Sequence, residues 1–163
     1  MPTIEFETTV AAPLARVWEF YLDVMGSLPR LCQPGDQVQI ERADLPPQVG
    51  GRVILRAKGP LGRLVWDARY VELVPPHPVV FGEEARFVDV QDSGPFKSWQ
   101  HSHEFEAIDA KSTRIVDRIT YQVPYGPIGW VADKIIVRPK LRAMFRYRHQ
   151  VLAGIFPPPG GSN

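Results

Sequence analysis

His101 and His103 stand two residues apart, and Trp99 and Phe105 extend the same alternation on either side. Ser98, Gln100, Ser102 and Glu104 fill the other parity. Alternate side chains of a strand point to opposite faces, so both imidazoles and both aromatic rings project to one side. Imidazole changes charge near neutral pH. Beside a carboxylate it can relay a proton. In an apolar pocket it supplies one of a few directional hydrogen bonds to a ligand. As His-x-His with a carboxylate it can hold zinc. The carboxylates that can share this face are Asp89 and Asp117. A buried carboxylate needs a partner, because desolvation without one is costly.

These residues must be positioned by a pair of hairpins. Gly94 and Pro95 mark a turn within Asp92-Ser93-Gly94-Pro95-Phe96. Asp109-Ala110-Lys111-Ser112 marks the next. If that second turn is tight, Ala107 faces Thr113, Phe105 faces Ile115, His103 faces Asp117, His101 faces Ile119 and Trp99 faces Tyr121. Across the first hairpin, Asp89 is expected near Trp99 and Phe87 near His101. A one-residue slip would break the alternation, so the shared face is safer than the pairing. Four roles stand open for the cluster. It can be a structural polar network of Asp89, His103 and Asp117. His101, His103 or Gln91 can recognise a ligand. His103 or His101 can act as a base with Asp117 orienting it. His101, His103 and Asp117 can ligate zinc, although no third histidine or cysteine is well placed, Cys32 and His77 being remote in sequence. No metal is expected.

The rest of the chain supplies the scaffold. Ile4 to Val10 alternates as a strand with one buried face. Pro13 suits a first helical turn, and Leu14, Val17, Trp18 and Tyr21 carry a short amphipathic helix to Leu22. Asp23 to Pro34 reads as irregular or weakly helical. Strands are expected at Val38–Ala43, Arg52–Lys58, Leu64–Leu73, Val79–Gln91 with an interruption near Gly82, Ser98–Ile108 and Thr113–Val123. After Pro124 the period becomes helical through Ile128, Val131, Ala132, Ile135 and Ile136, then Leu141, Met144, Phe145, Arg148, Leu152 and Phe156. Pro139 predicts a kink in one long helix or a junction of two. Lys134, Arg138, Lys140, Arg142, Arg146 and Arg148 make this helix basic, and His149 is expected to be exposed on it. Such a stripe is usually a solvated face, but it can also meet an anionic headgroup or an acidic partner. Gly50-Gly51 and Gly59-Pro60-Leu61-Gly62 are turns, not a phosphate loop.

Composition narrows the classes. In 163 residues, 44% apolar and 23% charged, one domain with a sizeable core is expected over residues 1–156, followed by a disordered tail at 157–163. The net charge of +1 gives no electrostatic case for nucleic acid. A lone Cys32 permits no intrachain disulfide, and the N-terminus lacks signal-peptide regions, so a cytoplasmic protein is expected. No apolar run reaches membrane-spanning length.

The opening Val10-Ala11-Ala12-Pro13-Leu14-Ala15-Arg16-Val17-Trp18 and the late Asp117-Arg118-Ile119-Thr120-Tyr121-Gln122-Val123-Pro124 resemble the helix-grip superfamily, the START-like or SRPBCC group. That group includes polyketide cyclases, lipid-transfer domains and pollen allergens. Asp89-Val90-Gln91 with Gly94-Pro95-Phe96, Trp99, His101 and His103 is similar to a bacterial single-domain branch of it. The resemblance covers residues 3 to 156. It implies an α+β fold, a seven-stranded antiparallel sheet wrapped around the long C-terminal helix, with short helices after the first strand. It also implies an apolar cavity between sheet and helix that takes a hydrophobic small molecule. Expected cavity residues are Trp66, Tyr70, Phe87, Trp99, His101, Tyr121, Met144 and Phe145. Trp18 and Trp130 are read as core or lining. The expected function is a carrier of a lipid, polyketide or quinone-like ligand that requires no cofactor. The alternatives are a cyclase/dehydrase-type enzyme using a His–Asp pair, and an interaction module acting through the basic helix.

Overall fold

Seven strands bend around one long C-terminal helix in the computed structural model, which describes residues 1–59, 62–77 and 83–158. The elements are β1 (Thr3–Val10), α1 (Leu14–Leu22), α2 (Val24–Leu31), β2 (Gln39–Ala43), β3 (Arg52–Gly59), β4 (Gly62–Val74), β5 (Glu84–Ser93), β6 (Ser98–Asp109), β7 (Ser112–Gln122), α3 (Gly126–Ala132) and α4 (Arg138–Ile155). The sheet runs β1-β7-β6-β5-β4-β3-β2, and every neighbouring pair is antiparallel. β2 to β7 form the expected meander. β1 lies on the far edge from β2, so α1 and α2 carry the chain across the sheet. This is an α+β helix-grip fold. The expected interruption near Gly82, the loop residues Pro60 and Leu61, and the tail from Pro159 onward lie outside the described residues.

Asp23 to Pro34 is more regular than its sequence suggests. Asp23 caps α2 by accepting the Gly26 N–H at 3.1 Å. Gly26, Ser27 and Pro29 weaken the local helix preference. Burial of Val24 and Leu31 against the core overrides it.

The C-terminal helix is continuous but not uniform. A π turn at Asp133–Val137 joins α3 to α4, and the Arg138 N–H reaches back to the Asp133 carbonyl. Pro139 explains it. Its ring cannot donate and would crowd the carbonyl four residues earlier, and a wider turn relieves that clash. The chain thus stays helical through Pro139, with its irregularity in the π turn just before it.

The β6–β7 register places Trp99 opposite Tyr121, His101 opposite Ile119, His103 opposite Asp117 and Phe105 opposite Ile115, as the tight-turn reading requires. The β5–β6 register differs by two residues: Asp89 pairs with His101 and Phe87 with His103, rather than with Trp99 and His101. The cause is local. The Gln91 amide donates to the Phe96 carbonyl at 2.8 Å and accepts the Phe96 N–H at 3.3 Å, propping the loop open beyond a tight Gly-Pro turn. A shift of two preserves parity, so the face is unchanged.

Apolar residues gather in two clusters. Trp18, Tyr21, Phe87, Phe105, Leu152 and Phe156 belong to one, and Trp99, Ile119, Tyr121, Leu141 and Phe145 to the other. Trp18 is thus core. The polar cluster sits between them.

Candidate functional site

Asp117 is the centre of the site. It is wholly buried on β7, directly across from His103 on β6. Its Oδ1 accepts a hydrogen bond from His101 Nε2 at 2.9 Å. His103 Nδ1 lies 2.9 Å from the same oxygen, but its N–H is not aligned for a bond. His149, reaching in from α4, places Nε2 3.7 Å from Oδ2. His149 is therefore not exposed: it follows Phe145 by one helical turn and packs edge-on against Phe6. Phe6 and Phe145 stack at 4.6 Å and wall the cluster on that side.

On the outer side stands Asp89. Its Oδ2 is 3.7 Å from His103 Nε2 and 3.9 Å from His101 Nδ1. Phe87 stacks on the His103 ring at 4.1 Å, and the two imidazoles lie 3.7 Å apart. Asp117 thus holds both histidines from behind, while Asp89 meets their opposite nitrogens. His103, expected in the polar network, and His101, expected at the cavity, share one partner: both rings contact Asp117 Oδ1.

Burial alone would raise the Asp117 pKa. The hydrogen bond from His101 and the closeness of His103 and His149 overcome that and hold the carboxyl well below its usual range. Burial pushes His101 down, and the neighbouring His103 adds to the effect. Burial would also lower His103, but Asp117 and Asp89 outweigh it and the net shift is upward. The arrangement favours an ionised Asp117, biases His103 toward its protonated form and biases His101 toward its neutral form. The hydrogen bond to Asp117 assigns the His101 proton to Nε2 and leaves Nδ1 unprotonated.

Opposite pH signatures follow. The His103 proton contributes stability fully below its unfolded value near 6.5, and that contribution is lost as pH rises through the higher folded value. For His101, buried neutral, stability is present above 6.5 and is lost as pH falls through the lower folded value. NMR titration of the imidazole Cε1–H signals is expected to show His103 titrating above 6.5 and His101 below it. Two signals titrating together at the free-imidazole value would contradict this electrostatic picture.

The cluster opens on a cavity of about 410 Å³ between the sheet, α2 and α4. Trp66, Tyr70, Phe87, Trp99, His101, Met144 and Phe145 line it, as do Asp89 and His103. Asp117 is not part of the lining. Nor is Tyr121, which lies behind Trp99 with its hydroxyl donating to Asp133 Oδ1 at 2.5 Å. Burial and that carboxylate push the Tyr121 phenol up to about 12. Arg138 holds the other Asp133 oxygen at 2.7 Å, which ties the π turn to β7. Trp130 is exposed, with the Lys134 ammonium 3.8 Å above its ring, and is neither core nor lining.

Tyr21, Cys32 and Arg148 are among the lining residues not expected from the sequence. Arg148 gave a signal, since it falls on the apolar period of α4 as well as in its basic set. The structure buries it, so it does not belong to the outer face.

Among the described residues, Asp89, His101 and His103 each offer a donor atom within 4.8 Å of the others, the separation at which a metal ion can be held. Asp117 is not the third donor, because it occupies the far sides of both rings. Two imidazoles and a carboxylate suit zinc or ferrous iron.

A family model described as polyketide cyclase / dehydrase and lipid transport matches residues 1–153. No curated protein matches the sequence. Among solved structures, the Chromobacterium violaceum protein CV1439 is 20% identical with a TM-score of 0.68, over 97% of this chain and 99% of that one. Zhui aromatase/cyclase from Streptomyces sp. R1128 is 16% identical with a TM-score of 0.60, over 99% of both chains. A major latex-like protein from Panax ginseng is 12% identical with a TM-score of 0.60, over 96% of this chain and 98% of that one. At these identities the likeness is one of fold.

Proposed function

We propose, because this chain belongs to the polyketide cyclase / dehydrase and lipid transport family, that it binds a hydrophobic small molecule between its sheet and C-terminal helix. The observation that carries this reading is the cavity of about 410 Å³. Its volume lies in the range of small-molecule sites, and a few convergent polar groups stand in a wall that is mostly aliphatic and aromatic. A ligand that buries about 250 Å² of apolar surface there gains roughly 6 kcal/mol before the costs of association. The proposed setting is the cytoplasm, which the unpaired Cys32 supports. No helix among the described residues is long and apolar enough to cross a membrane.

A second reading is acid–base catalysis of the cyclase/dehydrase type. The neutral His101 favours it, with Asp117 bonded to one nitrogen and the other free to take a proton from carbon beside a carbonyl. The interaction-module reading is weaker. Arg138 and Lys140 are tied to Asp133 and Asp36, and Arg148 faces inward, which reduces the basic face to Lys134, Arg142 and Arg146.

Native mass spectrometry of the purified protein tests the carrier reading. A co-purified small molecule, released on denaturation and recovered by organic extraction, is expected. A protein that emerges empty and then fails to bind dodecanol or a hydrophobic dye would sink it. Chemical conversion of the recovered molecule by fresh protein would move the assignment to the enzyme.

A further inference from the structure

Arg148 is an unusual residue for the wall of an apolar cavity. It lies one helical turn beyond Phe145 on the inward stripe of α4, and only 7% of it is exposed. Its guanidinium sits over the Phe145 ring at 4.7 Å. Its Nε is buried without a hydrogen-bond partner. Among the described residues, no carboxylate oxygen lies within 4.0 Å of it. The acidic groups nearby are engaged: Asp36 receives the Lys140 ammonium at 2.5 Å, and Asp117 is surrounded by histidines. A second orphan lines the same cavity. The Tyr21 hydroxyl is buried and lacks any partner. Tyr21, Cys32 and Arg148 all line this one cavity.

A buried cation without a counter-charge is costly, and so is a buried hydroxyl without a bond. Native structures keep such groups where something else satisfies them. The guanidinium is a planar fork that matches a carboxylate, and it is held over the Phe145 ring. Tyr21 adds a further O–H donor. The remaining wall is aromatic and aliphatic, suited to a hydrocarbon body.

We propose that Arg148 and Tyr21 form an anion-binding end of the cavity, so that the ligand is an apolar molecule bearing a carboxylate. The proposal rests on the hydrophobic-ligand reading and narrows it to amphipathic acids. Arg148 and Tyr21 are ligand-binding residues here and take no part in proton transfer.

Calorimetric titration of the full chain at pH 8 with dodecanoate, dodecanol and methyl dodecanoate tests it. These probes share a tail and differ in the head. The wild-type protein is expected to bind dodecanoate roughly tenfold or more tighter than the other two, the usual worth of a charge-assisted bond. Arg148→Met keeps the length and packing of the stem and is expected to abolish that preference, acid and alcohol then binding alike. Arg148→Lys, which keeps charge without the fork, is expected to retain part of it. Tyr21→Phe is expected to narrow the preference by a smaller factor. Equal binding of acid and alcohol by the wild type would overturn the proposal and leave the cavity reading standing. So would a preference that survives in Arg148→Met. Failure of both dodecanol and dodecanoate to bind would remove the cavity reading, and this proposal with it. If Arg148→Met does not fold, as judged by circular dichroism, Arg148→Lys and the wild-type head-group series decide the matter.

Discussion

Asp117→Ala is expected to cost about 3–5 kcal/mol of folding stability, the range for removing one partner from a buried charge network. The side chain is wholly buried, and three histidine nitrogens converge on its two oxygens. Truncation leaves the His103 ring facing Asp89 alone, at 3.7 Å and beyond hydrogen-bond distance. It also orphans His101 Nε2 between Phe145 and Trp99. His103→Ala is expected to cost less, because Asp117 keeps its hydrogen bond from His101. Urea unfolding of both variants at neutral pH measures the difference. A loss under about 1 kcal/mol for Asp117→Ala would mean that the cluster is loosely solvated and that Asp117 does not organise it. The same series separates structure from chemistry. A folded His101→Gln protein that still binds ligand but no longer converts it would support the catalytic reading.

Ala68→Trp is expected to weaken ligand binding about a hundredfold, a little under 3 kcal/mol. Ala68 sits on β4 between Trp66 and Tyr70, and all three line the cavity. An indole built there projects into a space of about 410 Å³ and takes the volume the ligand needs. Filling empty space does not force neighbouring side chains off their rotamers, as overpacking a dense core does, so stability is expected to change by less than about 1 kcal/mol. Isothermal titration and a urea midpoint, read side by side, distinguish the outcomes. Retained affinity in a folded Ala68→Trp protein would place the ligand elsewhere on the molecule.

The strands were legible because period-two alternation survives tertiary packing. Trp99, His101, His103 and Phe105 share one buried face, and the β6–β7 pairing follows from a short turn at Asp109. The β5–β6 pairing was not legible, since it depends on the Gln91 side chain bracing Phe96 across the loop. That bond has no signature in composition or period. Helix faces were harder. With basic residues on several sides of α4, the sequence does not say which of them meets the sheet, and His149 and Arg148 both turn inward. The aliphatic stem of arginine packs like a hydrophobe, so an apolar stripe tolerates it. Tyr121 was placed on the right face of the sheet, but behind Trp99 rather than beside the cavity. Parity resolves which face a residue occupies, not how deep it lies.

The order of strands has a consequence for how this chain reaches its native state. Thr3 and Thr120, 117 positions apart, bond to each other where β1 meets β7. Every other strand pairing is between sequence neighbours. β1 is therefore made early and paired last, after the whole meander has been synthesised. Closing so long a loop carries an entropy cost that only late contacts repay, which raises contact order and slows folding. Until β7 emerges from the ribosome, the inward residues Ile4 and Phe6 have no partner strand, and the β7 side of the nascent sheet remains an open edge.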